Sequence, residues 1–287
     1  MSASPAPSHR PFEAFADWVK RSTGIVLTED KRSLLAARLK PFLDRTGASD
    51  LEAYFLHLAR CATPGERASV LDALTTNTTA FYREAHHFDL LTRLMIPARR
   101  SELPARPLRV WSAACSSGEE PYTLALELER RCRLGELSDY RVLATDISSG
   151  ALQEGRAGRY AKDRLRGLPR EILERGFDPC RIGGRPGAQV KHELRRKVSF
   201  HQLNLVGEDW RMLHRFDVIF CRNVLIYFDE STRREVVRRL VDQLLPRGFL
   251  VLGHSDAGLA RGVPLQPVGP TAYQRLEPET DGGERRR

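Results

Sequence analysis

The chain has 287 residues, 41% of them apolar and 29% charged, the balance of a globular fold with room for one large domain or two small ones. No apolar run nears the ~18 residues of a membrane span, and the opening MSASPAPSHRPF lacks the apolar stretch of a secretory signal. A formal net charge of +9 either serves solubility or draws anionic partners, but the basic residues are not interleaved with aromatics as in RNA-binding surfaces, which argues against nucleic acid.

In chain order, residues 1–9 read as a disordered lead and 10–75 as a small helical domain. Phe12, Phe15, Trp18 and Val19 fall at helical spacing, with Gly24 as the stop. Thr28 should cap a second helix that Pro41 ends or kinks. ASDLEAYFLHLARCATPGE reads as a third helix, capped by Ser49 or Asp50 and closed by Pro64-Gly65, and ERASVLDALTT as a fourth. On the second helix, Lys31, Arg38 and Arg45 recur every seven residues, a partly basic face crowded by Leu34, Leu35 and Phe42. Residues 76–107 follow as a linker segment and helix.

From residue 108 the texture changes. LRVWSAAC, YRVLATDIS, VSFHQLNL, FDVIFCRN and GFLVLGHS are short apolar runs that alternate with PYTLALELERRC and ESTRREVVRRLVDQLLP. This predicts a doubly wound α/β sheet covered on both faces, spanning 108–278. The alternation breaks at about 156–198, a basic stretch rich in glycine and proline that reads as an insertion with a small hairpin, GAQVKHEL forming one strand. Residues 279–287 read as a disordered tail. The five cysteines, Cys61, Cys115, Cys132, Cys180 and Cys221, are odd in number and scattered. They predict neither disulfides nor a zinc site, and a reducing cytoplasm is the simplest setting.

VWSAACSSGEEPYTLAL has the order strand, small-residue loop, helix, the place where doubly wound folds bind nucleotides. Its one glycine, Gly118, does not make the G-x-G-x-x-G of a pyrophosphate site. Glu119 and Glu120 suit the first turn of a helix; beside a ligand they suit a cation better, and S-adenosylmethionine carries a sulfonium and an ammonium. Asp146 ends the next strand, where a carboxylate accepts both ribose hydroxyls or caps the following helix. Asn204 and Leu205 could flank an adenine, and Asn223 and Tyr227 fall at the rim of the sheet. TTNTTAFYREAHHF, at 75–88, gathers hydroxyls, an amide, a guanidinium and two imidazoles.

Taken in order, TTNTTAFYREAHHF, VWSAACSSGEEPY, LATDIS, QLNL, FDVIFCRNVLIYFD and GFLVLGHSD are similar to the chemotaxis receptor glutamate methyltransferases of the CheR type, over nearly the whole chain. The resemblance implies a small helical domain joined to a mixed-sheet, Rossmann-like methyltransferase domain with a small β insertion. It implies S-adenosylmethionine as cofactor, S-adenosylhomocysteine as product and no metal. The acceptors would be glutamates on the acidic cytoplasmic helices of chemoreceptors, with a receptor tail peptide as a further partner for the insertion, in a cytoplasmic protein that neither inserts into membrane nor binds nucleic acid. Asn77, Thr79, Arg83, Glu120, Asp146, Asn204, Leu205, Arg222 and Asn223 would contact the cofactor, and Arg83 and Tyr227 would face the methyl group and the incoming carboxylate. His86 and His87 are read as structural. Thr78 and Cys115 depart from the usual pattern, apolar and alanine respectively. A glutamate carboxylate, with a pKa of about 4.3, is ionised at neutral pH, so the chemistry asks for desolvation and aim rather than a general base. A methyltransferase with another acceptor and a non-catalytic cofactor-binding module are the competing readings.

Overall fold

A computed structural model describes residues 11–99, 101–103, 106–208, 210 and 212–277; the predicted lead and tail lie outside the described residues. The N-terminal helices are α1 (Pro11–Thr23), α2 (Arg32–Thr46), α3 (Leu51–Arg60) and α4 (Pro64–Leu74). Phe12, Phe15 and Val19 bury one side of α1, and the Phe15 ring stacks on Phe55 of α3 at 4.1 Å between centroids. Asp50 caps α3 by accepting from the Ala53 amide.

Three expectations in this region change. Thr28 makes no side-chain cap; a 3-10 turn, Glu29–Lys31, leads into α2 instead. Pro41 does not stop α2, which runs on to Thr46 with Leu35, Leu39 and Phe42 buried. One missing amide hydrogen bond is outweighed there by apolar contacts that seat both halves of the helix on the same core. Pro64 does not close α3 but opens α4, at the first helical position where its lost N–H costs nothing, behind a Thr63 cap.

The linker turns at 81–85 into a helical stretch: α5 (His86–Leu90), a π turn (Leu91–Met95) and α6 (Ile96–Arg99). The second domain alternates β1 (Leu108–Ala113), α7 (Glu119–Arg133), β2 (Tyr140–Asp146) and α8 (Ser149–Ala157). The insertion, with β3 (Arg159–Ala161), α9 (Arg170–Gly176), β4 (Phe177–Ile182), β5 (Arg185–Val190) and α10 (His192–Arg195), interrupts it. The alternation resumes with β6 (Val198–Gln202), β7 (Phe216–Cys221), α11 (Glu230–Asp242), β8 (Leu244–Leu252), β9 (Leu265–Gly269) and β10 (Ala272–Arg275). Among the described residues the main sheet has the order β6-β2-β1-β7-β8-β10-β9. Its first five strands are parallel, and β10 runs antiparallel to β8 and β9. All six residues of β7 are buried, as a strand covered on both faces requires. One core joins the sheet to α7, and the other joins it to α11. In the insertion β5 lies between β3 and β4. GAQV falls within β5, but KHEL does not extend it: the strand ends at Val190 and His192–Arg195 is helical.

The end of the sheet away from the nucleotide-type loop is tied by one buried carboxylate. Asp217 accepts two 2.7 Å bonds from Arg106, a 3.0 Å bond from Arg99 Nε and another from the Arg109 amide. Burial works to raise its pKa, but the Arg106 bonds, the Arg109 amide and the Arg106 and Arg99 charges outweigh burial and hold it below the ordinary carboxyl range. Because the folded pKa is depressed, the stabilisation is complete above the unfolded value of about 3.9 and is lost as pH falls through the folded one. Asp217→Ala leaves Arg99, itself buried, without this partner, and urea denaturation at pH 7 should show a loss of about 3–5 kcal/mol.

Candidate functional site

A pocket opens between the two domains at the carboxyl ends of the parallel strands, and every residue named above as a cofactor or acceptor contact lines it: Asn77, Thr79, Arg83, Glu120, Asp146, Asn204, Leu205, Arg222, Asn223 and Tyr227. The β1–α7 loop forms one wall. Ala114 and Ser116 hold positive φ angles of 63° and 50° without being glycine, strain of the kind that collects at functional sites. Gly118 is needed for a different reason: its φ is +98°, and an added Cβ would lie 2.9 Å from the Tyr160 hydroxyl and 3.0 Å from the Gly155 Cα.

The two carboxylates after this loop divide. Glu120 lines the pocket, accepting 2.7 Å from Ser112 Oγ and 2.9 Å from Arg222. Glu119 does not line it. That carboxylate is buried against Ser117 Oγ and the guanidinium of Arg164, which reaches in from the insertion. The expectation of two acidic groups facing one ligand is therefore corrected: helical periodicity turns adjacent residues to different sides, and Arg164 claims the first.

Asp146 stands at the end of β2, its oxygens accepting from the amides of Ser116 (2.8 Å) and Ser148 (2.9 Å). Burial raises its pKa, and the amide bonds from Ser148, Ser116 and Ile147 only partly offset this. It does not cap α8; Ser148 does, through its own hydroxyl. A carboxylate offers about four lone-pair sites, so Asp146 keeps acceptor capacity beyond these amide bonds.

Arg222, at the end of β7, is buried and shared: Nη1 lies 2.9 Å from Glu120, Nη2 lies 3.3 Å from Glu84, and the Arg83 carbonyl accepts from it as well. Asn223, in the left-handed region at φ 58°, donates to Glu84 at 3.1 Å. Arg83 differs. Its guanidinium donates to the Thr78 carbonyl at 2.8 Å and has no carboxylate partner among the described residues. His86 and His87 stay outside the pocket lining. His87 is pushed down to about 4 by burial, with Arg222 and His86 adding to the effect, and is neutral at physiological pH.

Sequence reasoning missed the contribution of the N-terminal domain. Thr23 and Ile25, at and just after the end of α1, line the pocket with Leu203, Val224 and Phe228. Asn204 reaches across the seam, donating to the Ser22 carbonyl at 2.7 Å. Asp72 of α4 accepts from the Ser149 amide and hydroxyl and the Gly150 amide at 2.9–3.2 Å, at the first turn of α8. Lys20 pairs with Asp229 at 2.7 Å. Gly24, at φ +79°, is the one local signal, since a Cβ there would sit 2.6 Å from Val206. Arg38 is corrected too. It turns inward to hold the Leu74 and Thr75 carbonyls and Thr76 Oγ1, bracing the linker rather than presenting charge.

Residues 77–262 match the family described as "CheR methyltransferase, SAM binding domain", and residues 10–75 match "CheR methyltransferase, all-alpha domain". The chain is 40% identical over 263 residues to chemotaxis protein methyltransferase 2 of Pseudomonas aeruginosa, covering 91% of each chain. It is 38% identical over 258 residues to the chemotaxis protein methyltransferase of Escherichia coli K12, covering 89% of this chain and 87% of the other. Among the described residues, no helix is long and apolar enough to cross a membrane.

Gly118→Ala should cost about 1–3 kcal/mol, the scale of one residue forced into a disallowed backbone region. A guanidinium melt of the variant beside the parent checks it, and an unchanged midpoint would contradict the close packing of this loop.

Proposed function

Since the chain belongs to the CheR family of S-adenosylmethionine-dependent chemotaxis methyltransferases, we propose that its acceptor is the ionised side chain of glutamates on chemoreceptor cytoplasmic helices, converted to methyl esters. The observation that carries this reading is Arg83, a pocket guanidinium that donates to a backbone carbonyl and meets no carboxylate among the described residues. The other pocket arginine is already neutralised by Glu120 and Glu84. An anionic acceptor is what such an uncompensated cation selects.

The residues present fit the cofactor. Asp146 retains acceptor sites for a pair of ribose hydroxyls. Leu203, Leu205, Ile147 and Phe228 offer apolar surface for an adenine, and Glu120 offers a carboxylate oxygen to an ammonium. Asn204 contributes chiefly by its position, since its amide is engaged by Ser22 and its carbonyl oxygen by the Val206 amide. S-adenosylmethionine, when bound, supplies a methyl group activated by a sulfonium. The protein has then to hold an already charged nucleophile in line and limit its water. In this reading Arg83 holds the carboxylate, Tyr227 orients it from its 3-10 turn at Leu225–Tyr227, and the apolar wall of Val224 and Phe228 excludes solvent. No proton need move before transfer, which agrees with the absence of a histidine among the pocket-lining residues.

Asp146→Ala should weaken S-adenosylhomocysteine binding by about 1–3 kcal/mol in calorimetry; unchanged affinity would remove Asp146 from the ribose site. Arg83→Met should keep the fold by circular dichroism while turnover on receptor-containing membranes falls about 10- to 150-fold, equivalent to a charged hydrogen bond of about 1.5–3 kcal/mol. With methyl-labelled S-adenosylmethionine as donor, the label transferred to those membranes should be released by alkali as a volatile product, the behaviour of a carboxyl ester. Label that survives alkali would identify a different acceptor.

A further inference from the structure

Behind the pocket wall, Glu84, His86 and His87 place one ligating atom each within 4.8 Å of one another. Glu84 Oε2, His86 Nε2 and His87 Nδ1 are all buried; neither ring nitrogen has a geometrically good hydrogen bond, and Oε2 has the Arg222 guanidinium at 3.3 Å. Orphan polar atoms are rare in folded proteins, and two on adjacent imidazoles beside one carboxylate invite a common explanation. His87, wholly buried, defines it best. Its Nε2 lies 3.3 Å from the Pro270 carbonyl, which can only accept, and 2.9 Å from Thr271 Oγ1. With the proton on Nε2, donated to that carbonyl, the Nδ1 lone pair faces Glu84 Oε2 at 3.4 Å; with the proton on Nδ1, Thr271 donates to Nε2 instead. In the first tautomer two acceptors face each other, an arrangement that Arg222, on the same Oε2, relieves only from one side and that a cation between them would relieve fully.

The spacing suits a metal. Nitrogen and oxygen ligands at about 2.0–2.2 Å in a tetrahedron stand about 3.4 Å apart, the separation already found between Nδ1 and Oε2. Two imidazoles and one carboxylate, with a position left for water, are a known zinc donor set. The Nε2–carbonyl contact is the outer support that metal-bound imidazoles use to fix their tautomer. We propose that Glu84, His86 and His87 form a binding site for a zinc-type divalent transition ion, separate from the donor pocket. The guanidinium of Arg222, 3.3 Å from the same Oε2, opposes it; its charge is also met by Glu120, so the site is weakened rather than abolished.

The full chain, stripped with chelator and dialysed, is titrated with Co²⁺ while its visible absorption is recorded. The expected result is one equivalent bound, with the intense bands of a four-coordinate site that Zn²⁺ bleaches stoichiometrically. His86→Ala and, independently, Glu84→Gln should lower Co²⁺ affinity at least about tenfold, whereas His201→Ala, at an exposed histidine on β6, should not. Absence of a bound equivalent in the parent chain overturns the proposal. So does a weak six-coordinate spectrum, or affinity that falls with His201 and not with His86. If either substituted chain fails to fold, the stoichiometry and spectrum of the parent chain still decide.

Discussion

The site depends on one buried cation. Arg222 sits where the end of β7, the first turn of α7 and the linker meet, and its guanidinium is divided between Glu120 and Glu84. Taking such a group from water costs several kcal/mol unless fixed partners replace the lost hydration. Both partners are consequently committed: Glu120 is also held by Ser112, and Glu84 by Asn223. The pocket wall is thereby braced before any ligand arrives, and Arg83 is left as the pocket charge with no carboxylate counterpart among the described residues. A cation free to meet an anionic acceptor exists because its neighbour is not free.

The two ends of the sheet use charge in opposite ways. Around Asp217 every strong donor converges on one acceptor, and the result is a closed, buried knot at the amino ends of the central strands. At the carboxyl ends the same residue types are spread around a cavity, and acceptor capacity remains on Asp146. Parallel strands put these two environments at opposite edges, so the scaffold can be locked at one without stiffening the chemistry at the other.

Much of this was legible because sequence period and burial agree. Continuous apolar runs announced β1, β2, β6, β7 and β8, and the strand ends then located Asp146, Asn204 and Asn223, whereas Arg222 came only with the family resemblance. What escaped was set by contacts distant in sequence. Nothing local distinguishes Glu119 from Glu120; Arg164, 45 positions later, does. Arg38 looks like a surface charge until the chain returns to it at Leu74, Thr75 and Thr76. Pro41 breaks a helix in isolation and fails to do so over a packed core. The lesson of α3 and α4 is similar: Pro64-Gly65 reads equally as a stop or a start, and only the Thr63 cap shows which.

The seam between the domains carries several polar ties: Asp72 on the start of α8, Asn204 on the Ser22 carbonyl, and Lys20 with Asp229. Each exchanges for water at a modest net cost, typically about 1 kcal/mol or less. A greasy seam would resist parting in proportion to its area. Here bonds that solvent can replace one at a time lie beside one apolar bridge, Ile25, which packs on the cores of both domains, so that bridge is the chief cost of parting the cleft for a bulky nucleoside to enter and its demethylated remnant to leave.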